Sequence, residues 1–279
     1  MLTASNHTEL RQKVYERFPF DVIRMSGKDS VDFLQRITTN DFSTFTPGGI
    51  QKTLIITEKG RVLDAVWVIH HVTDLLIVCS YGIADEINSW LNKFIISEDI
   101  VLENVTPRFR IDLKITDDST GLPTDYFGIP ARLVVSETSG DNIQFPGDAF
   151  EAWRIRQGIP VSKKELVQDY NPLELNLRNW VSFTKGCYIG QEVIARLDTY
   201  NKIQRTLCFI SFSDNVSEGD LLVNDENLDI GKITSTCGGS GLAVIRLKYA
   251  AQFGTFRTKR NNSAVRIEKV FQKEEHGRN

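Results

Sequence analysis

The sequence predicts an α+β protein that ends in an antiparallel β-barrel, and three observations predict it. Apolar residues recur at helical spacing in some segments and alternate in others, so helices and strands are interleaved in the first half. One strand-like segment, 61–70, presents Val62, Asp64, Val66 and Val68 on one face and Leu63, Ala65, Trp67 and Ile69 on the other. From Thr206 onward the texture changes to short strands separated by glycine turns, the pattern of a small barrel.

Taken in order, the chain opens irregularly, and Ser30 is the expected N-cap of a helix over 31–38 whose apolar face is Phe33, Leu34 and Ile37. Pro47, Gly48 and Gly49 break the chain before two strands, 51–57 and 61–70, joined at Glu58-Lys59-Gly60. The apolar run 75–79 reads as a buried strand and leads into a helix over 84–94, with Ile87, Trp90, Leu91 and Phe94 as its stripe. This succession suggests a ferredoxin-like α+β sandwich. Strands are expected at 110–115 and 131–136 around a polar stretch, 117–124, and a short helix at 150–157 is ended by Gly158 and Pro160. The segment 161–184 is irregular, with Pro172 marking extended chain. Barrel strands are expected at 207–212, 220–223, 230–235, 241–247 and 265–269, after a boundary near Asn201, and 272–279 is a polar tail.

The 279 residues exceed the usual span of one domain, and 41% hydrophobic with 25% charged residues is a globular composition. A net charge of −3 gives no basis for an extended nucleic-acid footprint. No apolar run approaches the roughly 20 residues that span a bilayer, so no membrane association is expected. Residues 1–10 have neither the basic and apolar regions of a secretory signal nor an arginine-rich leader, which sets the expectation of a bacterial cytoplasm. Cys79, Cys187, Cys208 and Cys237 are scattered, without the spacing of a disulfide framework or a zinc site.

One stretch carries the chemistry: Lys185-Gly186-Cys187-Tyr188-Ile189-Gly190-Gln191-Glu192, followed by Arg196. Gly186 and Gly190 suit a tight turn or positive φ. A helix starting at Gln191 would set Cys187 near its N-terminus, with Lys185 close by, and both features favour thiolate. Glu192 and Arg196, four residues apart, are expected to pair along that helix. Against this stands the ordinary fate of a cysteine among apolar residues, which is to be a small buried hydrophobe. Cys79 and Cys208 read that way, and Cys237 reads as a turn residue. The pair His70-His71 is no metal site, because neighbours on a strand point to opposite faces.

The eight-residue motif resembles the K-G-C-[YF]-x-G-Q-E signature of the YgfZ branch of the YgfZ/GcvT-like folate-binding superfamily, which is related to the aminomethyltransferase of glycine cleavage. The resemblance extends in family order through Asp32 to Asp41 (DFLQRITTND), Lys59 to Asp64 (KGRVLD), Arg156 to Pro160 with Pro172-Leu173-Glu174, Gly231 to Ser235, and Gly241 to Ala243. It implies a three-part, ring-like fold: a discontinuous folate-cavity domain (1–50 and 140–200), an inserted ferredoxin-like module (51–139) and a C-terminal β-barrel (201–272).

What the resemblance implies for function is an accessory factor for iron–sulfur cluster assembly or repair, with downstream effects on tRNA-modifying enzymes. Cys187 would be its functional thiol, with Lys185 holding the charge state. Tetrahydrofolate or another reduced folate is the implied cofactor, with no stable metal. The implied partners are iron–sulfur assembly proteins or cluster-containing client enzymes. Candidate folate contacts are Asp64, Phe150, Trp153 and Glu174. For Asp64 the competing reading is a polar residue on the exposed face of a half-buried strand, and for Phe150 and Trp153 it is simple core packing. Arg156 stands where the aminomethyltransferase has a pterin-gripping glutamate, and an arginine cannot accept hydrogen bonds from the pterin. A cysteine stands at 187 where transferring relatives carry aspartate. The alternative, a folate-dependent one-carbon transferase, would use Asp64 to polarise or deprotonate an amine.

Overall fold

The computed structural model describes residues 13–115, 119–138, 143–200, 202–213 and 215–271. The opening residues, part of the stretch 117–124, the boundary residue Asn201 and the tail 272–279 lie outside the described residues. The chain divides into two compact units: 1–58 with 63–146 and 179–189, and 59–62 with 147–178 and 190–279.

The first unit contains β1 (Lys13–Tyr15), β2 (Phe20–Ser26), α1 (Ser30–Ile37), β3 (Ile50–Ile56), β4 (Val62–His71, but for its first residue) and β5 (Asp74–Ser80). It continues with α2 (Ala84–Asn92), β6 (Val101–Asn104), β7 (Phe109–Ile115), β8 (Leu122–Tyr126) and β9 (Ile129–Glu137). These form a five-stranded sheet ordered β3-β4-β5-β2-β6 and a four-stranded sheet ordered β1-β7-β9-β8. The apolar stripes of α1 (Phe33, Leu34, Ile37) and α2 (Ile87, Trp90, Leu91) share one core with Ile23, Met25, Val66, Val68 and Ile77 of the five-stranded sheet.

Two expectations for this unit are corrected. Ser30 is not the cap of α1 but its first residue, and its hydroxyl donates to the Gly27 carbonyl at 2.7 Å. The opening is not irregular throughout, because β2 is an interior strand of the five-stranded sheet, paired with β5 and β6. A charged Asp21 in that run disguises it. The side chain is 6% exposed and accepts from the backbone N–H of Gly82, Ile83 and Ala84 at 2.8, 3.0 and 3.0 Å. Asp21 thus caps the N-terminus of α2 from another strand, satisfying donors that its own N-cap, Ile83, cannot.

The second unit contains α3 (Asp148–Gln157), α4 (Gln191–Thr199), β10 (Arg205–Phe212), β11 (Leu221–Val223), β12 (Asp229–Cys237), β13 (Ser240–Arg246), α5 (Leu247–Ala250), β14 (Thr255–Thr258) and β15 (Ala264–Val270). The six strands close into an antiparallel barrel ordered β10-β13-β12-β11-β14-β15, with β10 bonded to both β13 and β15. Closure leaves no sheet edge, and Cys208, Ile210, Leu222, Ile233, Ala243, Ile245, Val265 and Ile267 form its core. Gly158, at φ 71°, ends α3 as expected of a left-handed C-cap. Arg154 of α3 is fully buried and donates to Ser235 of β12 at 2.9 Å, while Ser235 donates to the buried Glu165 at 2.6 Å. These bonds fix α3 and the 161–166 segment to the barrel.

Candidate functional site

The residues before and through the motif are laced to the end of α1. Ser182 N–H donates to the Thr39 carbonyl at 2.9 Å, and Ile189 N–H donates to the Arg36 carbonyl at 3.1 Å. Thr39 Oγ1 donates to the Trp180 carbonyl at 2.6 Å. Lys185 is buried, and its Nζ donates to the carbonyls of Thr38 and Asn40 at 2.9 and 2.6 Å. Thr38 is the C-cap of α1, and carbonyls at a helix C-terminus lack intrahelical partners and carry partial negative charge, so an ammonium is well placed beside it. Burial pushes the Lys185 pKa down to about 8, and nearby Asp41 opposes that shift. Lys185 also lies over the Tyr188 ring, 5.2 Å from its centroid, and Tyr188 is buried. Ile189 packs against the core of the first unit.

Cys187 is exposed between these anchored neighbours. Gly186 beside it is exposed too, and its backbone is not in the left-handed region. A Cβ on Gly186 would meet nothing within 4 Å, so neither packing nor backbone geometry requires glycine there. The positive φ belongs instead to Gly190 (φ 77°, ψ 0°), the N-cap of α4.

In the second unit α4 is positioned by two sequence elements far from it. Gly60, at φ 67°, packs against Val193 and Ile194: a Cβ would lie 3.1 Å from the nearest side-chain atom of each. Arg178 holds Asp198 near the other end of the helix through an ion pair. The expected pairing of Glu192 with Arg196 does not form. Both side chains are exposed, and among the described residues neither has an ion-pair partner. Solvation of two long exposed side chains outweighs so weak a contact. Gln191, the first residue of α4, is half-buried.

Asp64 lies neither on an exposed face nor open to a cavity. β4 is covered on both sides: Val66 and Val68 join the helical core, while Trp67 stacks on Tyr126 (5.9 Å) and meets Trp180 edge-on (5.1 Å). Asp64 is fully buried, and Ser80 donates to it from its backbone N–H and its hydroxyl, each at 2.8 Å. Burial pushes the carboxyl up to about 7 against these two bonds, and Asp21 adds to the rise.

The other candidate folate contacts are likewise engaged. Glu174 is 3% exposed, accepts from Arg205 at 2.8 and 3.1 Å, and accepts the Asn171 N–H at 3.1 Å. It ties the 169–174 segment to β10, and Arg61 adds a longer contact at 3.7 Å. Phe150 and Trp153 are buried, with ring centroids 5.4 Å apart. Arg156 is exposed. Each of the four candidate contacts is engaged within its own unit: two carboxylates hold hydrogen bonds from protein donors, and two rings show little accessible face. Among the described residues no group of three or more His, Cys, Asp or Glu could hold a metal ion. His70 and His71 go separate ways, His70 stacking on Phe45 and His71 meeting Phe109 edge-on.

Sequence reasoning places the motif but misses its anchors. The Thr38–Asn40 carbonyls, Ser80 and Arg205 are all distant in the chain, and a backbone carbonyl carries no sequence signal at all. The only hint is that the DFLQRITTND and KGCYIGQE segments both stand out.

The architecture is that of GcvT-like proteins. A solved glycine cleavage system aminomethyltransferase T from Bartonella henselae matches 95% of this chain and 88% of its own with a TM-score of 0.74, at 15% identity. Residues 2–112 match the GCVT N-terminal domain family, and residues 204–270 match the family described as CAF17, C-terminal beta-barrel domain. With these matches the chain belongs to the YgfZ/GcvT-like superfamily. Similar proteins include a putative chloroplastic transferase of Arabidopsis thaliana, 30% identical over 84% of this chain. This chain spans 65% of that relative's length. A tRNA-modifying protein YgfZ of Colwellia psychrerythraea is 24% identical over 67% of this chain and 68% of its own. A human mitochondrial iron–sulfur cluster assembly factor is 36% identical over 33% of this chain and 28% of its own.

Proposed function

We propose that the protein is an accessory factor for assembly or repair of iron–sulfur clusters, acting through Cys187, with tRNA-modifying enzymes among those affected downstream. The observation that carries this reading is an exposed thiol on a loop whose flanking residues, Lys185, Tyr188 and Ile189, are fastened to the first unit. A thiol so presented is available to a partner without rearrangement of the loop. A stable cluster normally takes about four protein ligands, so one cysteine suits a shared or transient site. The names of the human and Colwellia relatives support the same reading. Folate binding enters from the family resemblance alone, and equilibrium dialysis of tetrahydrofolate against the purified protein tests it.

A one-carbon transferase is the second reading, favoured by the likeness to an aminomethyltransferase and by an acid, Asp64, whose pKa near 7 suits a general base. Its weakness is that Asp64 has no exposed surface.

The deciding experiment is complementation of a bacterial strain lacking its own YgfZ-type protein, with the activity of an oxidation-sensitive iron–sulfur enzyme as readout. Wild type restores that activity, and Cys187→Ser, expressed equally, does not. Equal rescue by both removes the thiol from the mechanism. Turnover of an aminomethyl donor by purified protein with tetrahydrofolate would establish the transferase instead.

A further inference from the structure

The second unit holds a cleft of about 1040 Å³ that plays no part in the function above. Five cations line it, Arg61, Arg205, Lys232, Arg246 and Lys248, against two carboxylates, Asp169 and Asp229. Their charges are unevenly compensated. Arg205 is paired with Glu174 at 2.8 Å, and Asp229 is taken by Lys259, from outside the lining, at 2.9 Å. Lys232, Arg246 and Lys248 are exposed, and among the described residues none has a carboxylate partner. Arg246 also stands directly opposite Arg205 across the β10–β13 pairing, an arrangement of like charges that weakens a sheet.

The remaining arginines of the barrel differ. Arg257, Arg260 and Arg266 each have a carboxylate within 4 Å, at Asp225, Asp220 and Glu268. Three cations without a carboxylate partner therefore converge on one concavity, in a chain whose net charge is −3. A nucleic-acid track needs cations spread along several successive phosphates. A confined cluster with an arginine fork and two lysine point charges fits a compact ligand with more than one anionic group. The volume is that of a small-molecule site.

We propose that this cleft binds a small polyanion carrying two or more phosphate or carboxylate groups, with Lys232, Arg246 and Lys248 as its contacts. Isothermal titration of the full chain at low ionic strength, with inorganic pyrophosphate and with citrate as probes, tests this. Saturable binding of at least one probe is expected, weakened by about tenfold or more in Lys232→Ser/Arg246→Ser. Tighter pyrophosphate identifies a phosphate-bearing ligand, and tighter citrate a carboxylate-bearing one. Lys248→Ser serves as a second variant, and Lys269→Ser, on β15 outside the lining, leaves affinity unchanged. No saturable binding of either probe, equal loss in Lys269→Ser, or affinity unmoved in both cleft variants overturns the proposal. Tighter binding of a short single-stranded RNA through the same residues also overturns it, in favour of a nucleic-acid site.

Discussion

Asp64 shows how one buried carboxyl writes itself into stability. Its pKa rises from the ordinary value near 4 to about 7 on folding, because burial penalises the charged form more than Ser80 stabilises it. Between those values the folded protein binds more protons than the unfolded one, so stability falls as pH rises from about 4 to about 7 and is level above that. The contribution is on the order of 1–4 kcal/mol. Asn at this position keeps an acceptor for the Ser80 N–H and a donor for its hydroxyl, without a charge to desolvate. Urea unfolding of Asp64→Asn across that range is expected to show a flatter pH dependence, with the variant matching or exceeding wild type at pH 8. An unchanged slope would mean that Asp64 is not the titrating group. Lys185 teaches a related lesson. Its place in the sequence suggests service to Cys187, whereas its Nζ binds the carbonyls of Thr38 and Asn40, at and just past the C-cap of α1.

Among the elements, the turn before β4 and helix α4 are joined through the absence of a side chain. Gly60 combines a positive φ with side-chain neighbours at 3.1 Å, so alanine there meets both backbone strain and crowding by Val193 and Ile194. A loss of about 1–2 kcal/mol from the backbone alone is expected, with more from the contacts. Gly128, at φ 89° with nothing within 4 Å of the position a Cβ would take, supplies the comparison. Chemical denaturation should therefore place Gly60→Ala below Gly128→Ala in stability, and the reverse order would show that the Gly60 contacts relax without cost. The matched segments KGRVLD, PLE and the signature helix thus have a physical reason to occur together. Gly60 packs on α4, and the Val62 N–H donates to the Tyr170 carbonyl at 3.0 Å beside the loop that Glu174 secures.

On the scale of the whole molecule, the four thiols sort by environment. Cys187 is exposed, Cys237 is intermediate, and Cys79 and Cys208 are buried. Burial pushes the Cys208 thiol up to about 12 and the Cys79 thiol well above its ordinary value, with Asp64 and Asp21 adding to the latter. Titration of the native protein with a thiol reagent should show one fast group, lost in Cys187→Ser, and one slower group. The remaining two should react only after denaturation. Two equally fast native thiols would contradict this ordering. Among the described residues no helix is long and apolar enough to cross a membrane.

Local pattern alone determined a good deal about this protein. The stripes of α1 and α2, the alternation along β4, the glycine that ends α3 and every barrel strand but the four-residue β14 were readable because each is set by periodicity or by a single backbone requirement within a few residues. The position of the signature was readable from its resemblance to a known family. Tertiary structure decided which charges are silent and which are free. Asp21 stands in a strand and caps a helix, Glu174 looks like a ligand contact and is held by Arg205, and Glu192 and Arg196 look like a pair and stand apart. The physical reason is common to all of them. The fate of a polar side chain depends on desolvation and on partners distant in sequence, and neither quantity has a local pattern from which it could be read.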